Sequence, residues 1–332
     1  MSKHTPVLVR EIIQEFAPAD ADRLLDGTLG LGGHTAAYLE AGGGNVTGIE
    51  LDAQALGKAQ ENLKHYQAKV TFVHGSYYQV KDFIMGGGIL CPPLFNHILL
   101  DLGIGSHQLA DTDRGFSFNQ GTGLSMRYGP LHRLPPSQLD SLNKLEGRLG
   151  DAPDVGEMLR YLSTNELAQV LQTYGEEKFA YRIAGALKES AAAITSATRL
   201  AAEVSASVPG KYRHGPIHPA TRTFQALRLA VNRELEVLAT ALPLLVDILV
   251  PGGKIAVISF HSLEDRIVKK FFHAYAKGCI CPPEVPVCIC GQTPRLGIIT
   301  KRPIRASASE VEANPRSRSA KMRIAQKRVS SG

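Results

Sequence analysis

The sequence predicts an α/β fold: a doubly wound, mostly parallel seven-stranded sheet carrying an inserted all-helical domain. Three observations lead there. Over the first hundred residues, apolar runs alternate with segments of helical composition, the pattern of a parallel sheet covered on both faces. From about Asp111 to Pro216 strand signals nearly vanish. The alternation then resumes, and two short strand candidates close the chain.

In chain order, "MSKHTPVLVREI" has no long apolar run, so it reads as strand or loop and not as a signal peptide. "RLLDGT" (23–28) is the first strand, followed by a glycine cluster at Gly27, Gly30, Gly32 and Gly33 and a helix through Glu40. "NVTGIELD" (45–52) is the second strand, "AQALGKAQENLKHY" (53–66) a helix, "KVTFVHGS" (69–76) the third strand and "FNHILLDLG" (95–103) the fourth. In the inserted region, residues 135–153 are polar and loop-like. "STNELAQVLQTYGEEKFAYRIAGALKE" (163–189) opens with a capping box, Ser163 to Glu166, and spaces Leu167, Val170, Leu171, Tyr174, Ile183 and Leu187 as a helix does. Another helix follows Ser196 through Leu200 and Val204. Apolar residues then recur along 223–249 as in one long amphipathic helix, bent or interrupted at Pro243. "PGGKIAVISF" (251–260) turns into a fifth strand, and Ser262 caps "LEDRIVKKFFHAYA". The terminal strands lie in "LGIITKRPI" and "AKMRIAQ". Such a pair after the fifth βα unit suits a class I (Rossmann-like) methyltransferase sheet, which ends with an antiparallel strand.

Composition narrows the function classes. The 332 residues are 44% hydrophobic and 20% charged, enough for a real core. The most apolar long run, "ALPLLVDILVPGG", is broken by Pro243 and Asp247 and is too short to span a membrane, so a soluble cytoplasmic protein is expected. The net charge is +6, but from Gly291 onward ten bases face two acids, a balance of +8. A basic tail of this kind suits a polyanion, with nucleic acid foremost; a solvated, frayed terminus gives the same pattern. Cys279, Cys281, Cys288 and Cys290 form a C-x-C…C-x-C pattern that four-thiolate structural zinc, an exposed loop stapled by redox chemistry or plain reduced thiols would each explain.

The glycine loop admits three ligands. A nucleoside triphosphate wants GxxxxGK[ST], and no lysine follows these glycines. A dinucleotide wants GxGxxG, and Gly30-Leu31-Gly32-Gly33-His34-Thr35 ends in threonine. S-adenosylmethionine carries no phosphate, so its loop needs only bare backbone. An acid about 20 residues on, at the end of the second strand, would accept hydrogen bonds from ribose hydroxyls, and Glu50 stands there. A structural strand–helix turn with a surface glutamate stays open on this pattern alone.

Several stretches together resemble one family: "HTPVLVREI" (4–12), "DGTLGLGGHT" (26–35), "LLDLG" with "HQL" (99–109), "RGFSF" (114–118), "YGEEKFAYRIA" (174–184), "HPATRTFQALRLAVNREL" (218–235), "PGGKIAVISFHSLEDRIVK" (251–269) and "NPRSRSAKMR" (314–323). They are similar to the RsmH (MraW) family of S-adenosylmethionine-dependent methyltransferases. The resemblance implies methylation of the exocyclic N4 of a cytidine in small-subunit (16S-type) ribosomal RNA. It implies cofactor contacts at Gly32, Gly33 and His34, at Glu50 (usually Asp in the family), at Tyr77 (often Phe), and at Asp101 and Gln108. It also implies a methyltransferase domain over 1–111 and 214–332 with a helical domain over 112–213 that helps to grip RNA. The partner would be small-subunit ribosomal RNA or the assembled small subunit, without a membrane; a homodimer stays open. The chain departs from the family at Gly105, His107, Ala110 and Ser125, where serine, proline and two aspartates are usual.

Methyl transfer from a sulfonium to an amine is largely alignment, which supplies roughly 7–11 kcal/mol in favourable cases. Cytosine's amine is a weak nucleophile, so an acceptor drawing on its N–H would help. The (D/N)PP(Y/F) platform of many amino-methyltransferases is replaced here by Asp101-Leu102-Gly103-Ile104. Asp101 is the first candidate acceptor, with Ser259 and His261 of "SFHS" as further candidates expected nearby. A non-catalytic ribosome-assembly factor that kept the fold is the competing reading.

Overall fold

The computed structural model describes residues 6–85, 95–119, 122–129, 134–213, 215, 217–277, 287, 290 and 293–329. It divides into two compact units, Met1–Gly103 with Leu238–Gly332, and Ile104–Val237. The expected boundaries were 112 and 213. The second compact unit takes in more chain at both ends, and at its C-terminal end helix Thr221–Asn232 packs on helix Thr164–Gly175.

In the first unit, α1 (Val9–Phe16) precedes β1 (Arg23–Asp26), α2 (Gly33–Glu40), β2 (Asn45–Glu50), α3 (Ala53–Asn62), β3 (Val70–His74), α4 (Val80–Met85) and β4 (Phe95–Asp101). The second unit holds α5 (Ser106–Ala110), α6 (Asp140–Leu149), α7 (Val155–Tyr161), α8 (Thr164–Gly175), α9 (Ala180–Glu189), α10 (Ala197–Ser207) and α11 (Thr221–Asn232). Helix α12 (Glu234–Ile248) then leads to β5 (Leu249–Ser259), α13 (Ser262–Lys277), β6 (Leu296–Ile298), α14 (Ala308–Ala313) and β7 (Lys321–Lys327). The sheet order is β3-β2-β1-β4-β5-β7-β6. Strands β1 to β5 are parallel, and β7 runs antiparallel to both β5 and β6. This is the class I methyltransferase sheet.

Both faces of the sheet are buried, which is why its strands read as continuous apolar runs. Leu25, Ile98, Leu100, Ile255 and Val257 face one way, onto Leu238, Leu242 and Leu245 of α12 and Val268 and Phe272 of α13. Their neighbours Leu24, Leu99, Ala256 and Ile258 face the other way, with Ile12 and Phe16 of α1 and Tyr38 and Leu39 of α2. The two-residue period of a strand sorts consecutive apolar residues onto opposite faces.

Four local expectations change. The segment 1–12 was expected to be strand or loop, but its residues 9–12 begin helix α1, because Ile12 and Phe16 bury one helical edge under the sheet. The polar stretch 135–153 contains α6, whose Leu142 and Leu145 are buried. The capping box of Ser163 and Glu166 forms, but 163–189 breaks into α8 and α9, with Glu176 left-handed at φ 48°. Residues 223–249 break at Arg233 (φ 50°) and not at Pro243, which lies inside α12. The Arg233 guanidinium is fully buried and donates through Nη2 to Glu146 Oε2 at 2.8 Å. Asn232 beside it bonds the 126–128 backbone through both amide atoms. Those partners hold the left-handed turn, while proline in a helix costs α12 one backbone hydrogen bond. Cys279, Cys281 and Cys288 of the cysteine pattern lie outside the described residues. Among the described residues no helix is long and apolar enough to cross a membrane.

Candidate active site

Ligands of doubly wound sheets bind beyond the carboxyl ends of the strands. Here three strands end in acids: Asp26 on β1, Glu50 on β2 and Asp101 on β4. The loop between β1 and α2 winds among them. Gly27 N–H donates to Leu99 O and Leu29 N–H to Ile49 O, both at 2.9 Å, so the loop is pinned to two neighbouring strands.

The glycines of this loop are glycine for different reasons. Gly30 has φ +55°, and a side chain there would meet nothing nearer than Thr28 O at 3.9 Å, so its backbone faces open space. Gly32 has φ +82°, and a Cβ would lie 2.7 Å from Leu63 Cδ1. At Gly33 a Cβ would lie 2.5 Å from Pro6 Cγ. Behind Gly32 and Gly33 the missing side chains make room for core and for the N-terminal segment.

Glu50 closes the loop. Its Oε2 accepts from Gly30 N–H at 2.7 Å and its Oε1 from Asp52 N–H at 2.8 Å. Each oxygen keeps a lone pair for a further donor. Burial pushes the Glu50 carboxyl up to about 7, against the pull of those two backbone donors. Tyr77 follows β3, and its Cβ would lie 3.1 Å from a side chain at Gly27; its ring packs against the sheet core.

Asp26 is buried and accepts from Thr35 Oγ1–H at 2.8 Å and Thr28 N–H at 3.3 Å; burial raises its pKa. Thr28 Oγ1 in turn accepts from Asp101 N–H at 2.6 Å. The Asp101 side chain is 22% exposed, yet Oδ1 is closed off and has no hydrogen-bond partner among the described residues. Its Oδ2 lies 3.7 Å from His34 Nδ1. Burial pushes the Asp101 carboxyl up to about 6; His34 opposes that, and Asp26 and Glu264 add to it.

The remaining expected residues have other partners. Ser259 Oγ–H donates to Lys321 O at 3.3 Å, a strand-to-strand bond. His261 stands at the start of α13, with Nε2 3.1 Å from Glu264 Oε1 in off-line geometry. Glu264 Oε2 also accepts from Phe260 N–H at 2.9 Å, so the helix begins at Ser262 with Glu264 tying its first turn. Gln108 belongs to the helical unit, where its Oε1 accepts from Gly105 N–H at 3.0 Å. Thus Gly32, Gly33, His34, Glu50, Tyr77 and Asp101 gather around one loop. Asp26, Thr28 and Glu264 were not singled out from the sequence. Asp26 ends a strand as Glu50 does, which was its signal; Glu264 has only its place in a first helical turn.

The site fits S-adenosylmethionine on its own chemistry. Asp26, Glu50, Asp101 and Glu264 suit a ligand carrying a sulfonium and an ammonium. Glu50 would hold the ribose diol, the open backbone at Gly30 would admit the ligand closely, and the unpaired Asp101 oxygen awaits a donor.

The comparisons with known proteins agree. The model of the MraW methylase family matches residues 1–328. A relative from Heliobacterium mobile is 42% identical over 328 residues, covering 98% of each chain, and one from Syntrophus aciditrophicus is 43% identical over 330 residues, also covering 98% of each. A third, from Thermomicrobium roseum, is 42% identical over 328 residues and covers 98% of this chain and 93% of its own. All three are named "Ribosomal RNA small subunit methyltransferase H". With a class I sheet, a fitted cofactor loop and this match along nearly its whole length, the chain belongs to the MraW methylase family and is an S-adenosylmethionine-dependent methyltransferase.

Proposed function

We propose that the chain methylates the exocyclic N4 of a specific cytidine in small-subunit (16S-type) ribosomal RNA. The observation that carries this is the Asp101 carboxyl: it sits at the end of β4 beside the cofactor loop and keeps one buried oxygen without a partner among the described residues. S-adenosylmethionine supplies an electrophilic methyl whose sulfur leaves as a neutral thioether. The Asp101 carboxyl, which is partly open to solvent, is the acceptor that would draw on an N–H of the cytosine amine and localise its lone pair. Thr28 orients the Asp101 backbone, and Glu50 with Gly30 anchors the cofactor. The names of the relatives support ribosomal RNA as the substrate.

The helical unit is the proposed RNA grip. Tyr161, Tyr181 and Tyr212 are exposed there, and Arg148 and Lys211 lie over two of those rings at 4.9 and 5.1 Å. Exposed aromatics with cations are how proteins stack unpaired bases, and a target amine must be unstacked to be reached. The basic tail divides. Arg302, Arg305 and Arg318 are exposed, whereas Arg323 pairs with Asp265 and Lys321 stands 3.9 Å from it.

A Cβ at Gly105 would lie 2.5 Å from His107 Cε1, so a serine at 105 would require the His107 ring to swing aside. Calorimetry with S-adenosylmethionine and labelled methyl transfer to unmodified RNA and to assembled small subunits test the reading. N4-methylcytidine in the digested product is the expected outcome. Cofactor binding without transfer to either substrate would favour the assembly factor.

A further inference from the structure

His34 presents an unusual pairing. Its Nε2 lies 2.8 Å from the Val7 carbonyl oxygen, inside the fold. A carbonyl only accepts, so Nε2 carries the hydrogen and the neutral ring has its lone pair on Nδ1. That nitrogen faces Asp101 Oδ2 at 3.7 Å. Whenever the Asp101 carboxyl is ionised, a carboxylate oxygen and a bare ring nitrogen stand opposite each other with room for one proton to be held between them. The arrangement lacks one proton, and it lies next to the carboxyl oxygen that has no partner among the described residues.

The Val7 carbonyl is held from two sides. Pro6 fills the space a Gly33 side chain would take, and Leu8 N–H donates to Glu310 Oε1 at 2.8 Å. The charged groups around Asp101 are Asp26 on β1, Glu264 on α13 and His34 on α2. Asp26 is satisfied by Thr35 and Thr28, and Glu264 by the start of its own helix. His34 is the group left to take a proton.

The geometry points to His34 as a positioning residue for the transfer: acting through Asp101, it takes over the proton that the acceptor amine must lose, with the Val7 carbonyl fixing the tautomer that can receive it. This rests on the amine-methylation reading above. As the N4–CH3 bond forms, the S–CH3 bond breaks and its electron pair stays on sulfur. The nitrogen then carries one proton too many. That proton passes to Asp101 and on to His34 Nδ1, where the imidazolium lies between the Asp101 carboxylate and the Val7 carbonyl, and it reaches solvent after the product leaves.

His34→Gln keeps an amide N–H able to reach Val7 and removes the basic nitrogen. Methyl transfer by this variant should fall about 100-fold in kcat at saturating S-adenosylmethionine, the lower end for a lost proton acceptor, with the acid limb of the kcat profile displaced, whatever change in KM the place of His34 in the cofactor loop brings. Carboxyl-carbon NMR of the cofactor-free protein gives a second readout. The Asp101 titration, centred at about 6 in the parent, should move to higher pH in His34→Gln because no neighbouring ring can then take up the proton and stand as an imidazolium beside the carboxylate. An unchanged kcat with a raised KM, or an unmoved Asp101 titration, overturns the proposal. Nitrogen-15 shifts of the parent chain test it without a variant: a hydrogen on Nδ1 with Nε2 bare at pH 8 also overturns it. If the parent methylates no cytidine, the function reading fails; if it does and His34→Gln matches it, only this inference fails.

Discussion

Glu50→Gln should weaken S-adenosylmethionine binding and remove the part of its pH dependence that Glu50 sets, and the geometry sets both sizes. In the parent, both Glu50 oxygens accept a backbone N–H, and each keeps a lone pair that the proposed contact with the ribose diol would use. The glutamine keeps one acceptor oxygen and turns an NH2 toward either the Gly30 or the Asp52 donor. Charge-assisted bonds of this kind are worth about 1.5–3 kcal/mol each. Losing one and inverting another should cost about 2–4 kcal/mol, or about 30- to 1,000-fold in Kd. The pH dependence follows from the carboxyl's raised pKa of about 7. Protonated Glu50 cannot accept from both hydroxyls, so the cofactor binds the ionised form. About one-eleventh of the free protein is protonated at pH 8 and about ten-elevenths at pH 6, so parent affinity should fall about tenfold across that interval. Titration calorimetry at both pH values, at one ionic strength, measures this. The ligand's own amino group titrates in both proteins, so the variant is the reference. Equal pH slopes in parent and variant would refute the assignment of Glu50 to the diol.

Further expectations concern stability and RNA. A carboxyl whose pKa is raised on folding gives stability that is full below its unfolded value and lost as pH rises through its folded value, so the Tm of cofactor-free parent should fall relative to Glu50→Gln between pH 5 and pH 8. Arg323→Ala removes a two-pronged pair with Asp265 (2.6 and 3.2 Å) and leaves that acid 16% exposed without its main partner; chemical denaturation should show a loss of about 2–4 kcal/mol. Reversing Arg302, Arg305 and Arg318 together to glutamate should leave the denaturation midpoint within about 0.5 kcal/mol of the parent. In filter binding the same variant should weaken RNA affinity and flatten its salt dependence. Gly32→Ala should cost about 2–3 kcal/mol of stability from its left-handed φ and the encroachment on Leu63. Gly30→Ala shares the left-handed φ but meets open space, so it should cost less stability, about 1–2 kcal/mol, and should weaken cofactor binding; a stability loss equal to that of Gly32→Ala would contradict the distinct roles drawn for them.

Much of the sheet was legible because its chemistry is local. Strands buried on both faces must be apolar throughout, so β1, β2, β4 and β5 stand out from the helices around them. The capping box at Ser163 and Glu166 was legible for the same reason, since both partners lie within one helical turn. The break at Arg233 was not legible: a proline ten residues on looked the stronger breaker, but Glu146, 87 residues away, holds the buried guanidinium. The basic tail read as a uniform charge run, yet Arg323 is engaged with Asp265, 58 positions earlier.

The sequence by itself determined the βα order, the acids at the strand ends, the bare loop and the motifs that place the chain in its family, because each is written in residues close together. The tertiary structure decided which glycine faces open space and which faces Leu63 or Pro6, which bases stay exposed, and that His34 meets Asp101 while holding the Val7 carbonyl. Those outcomes depend on contacts between segments far apart in the chain, and no local pattern of side chains encodes the distance at which two such segments meet.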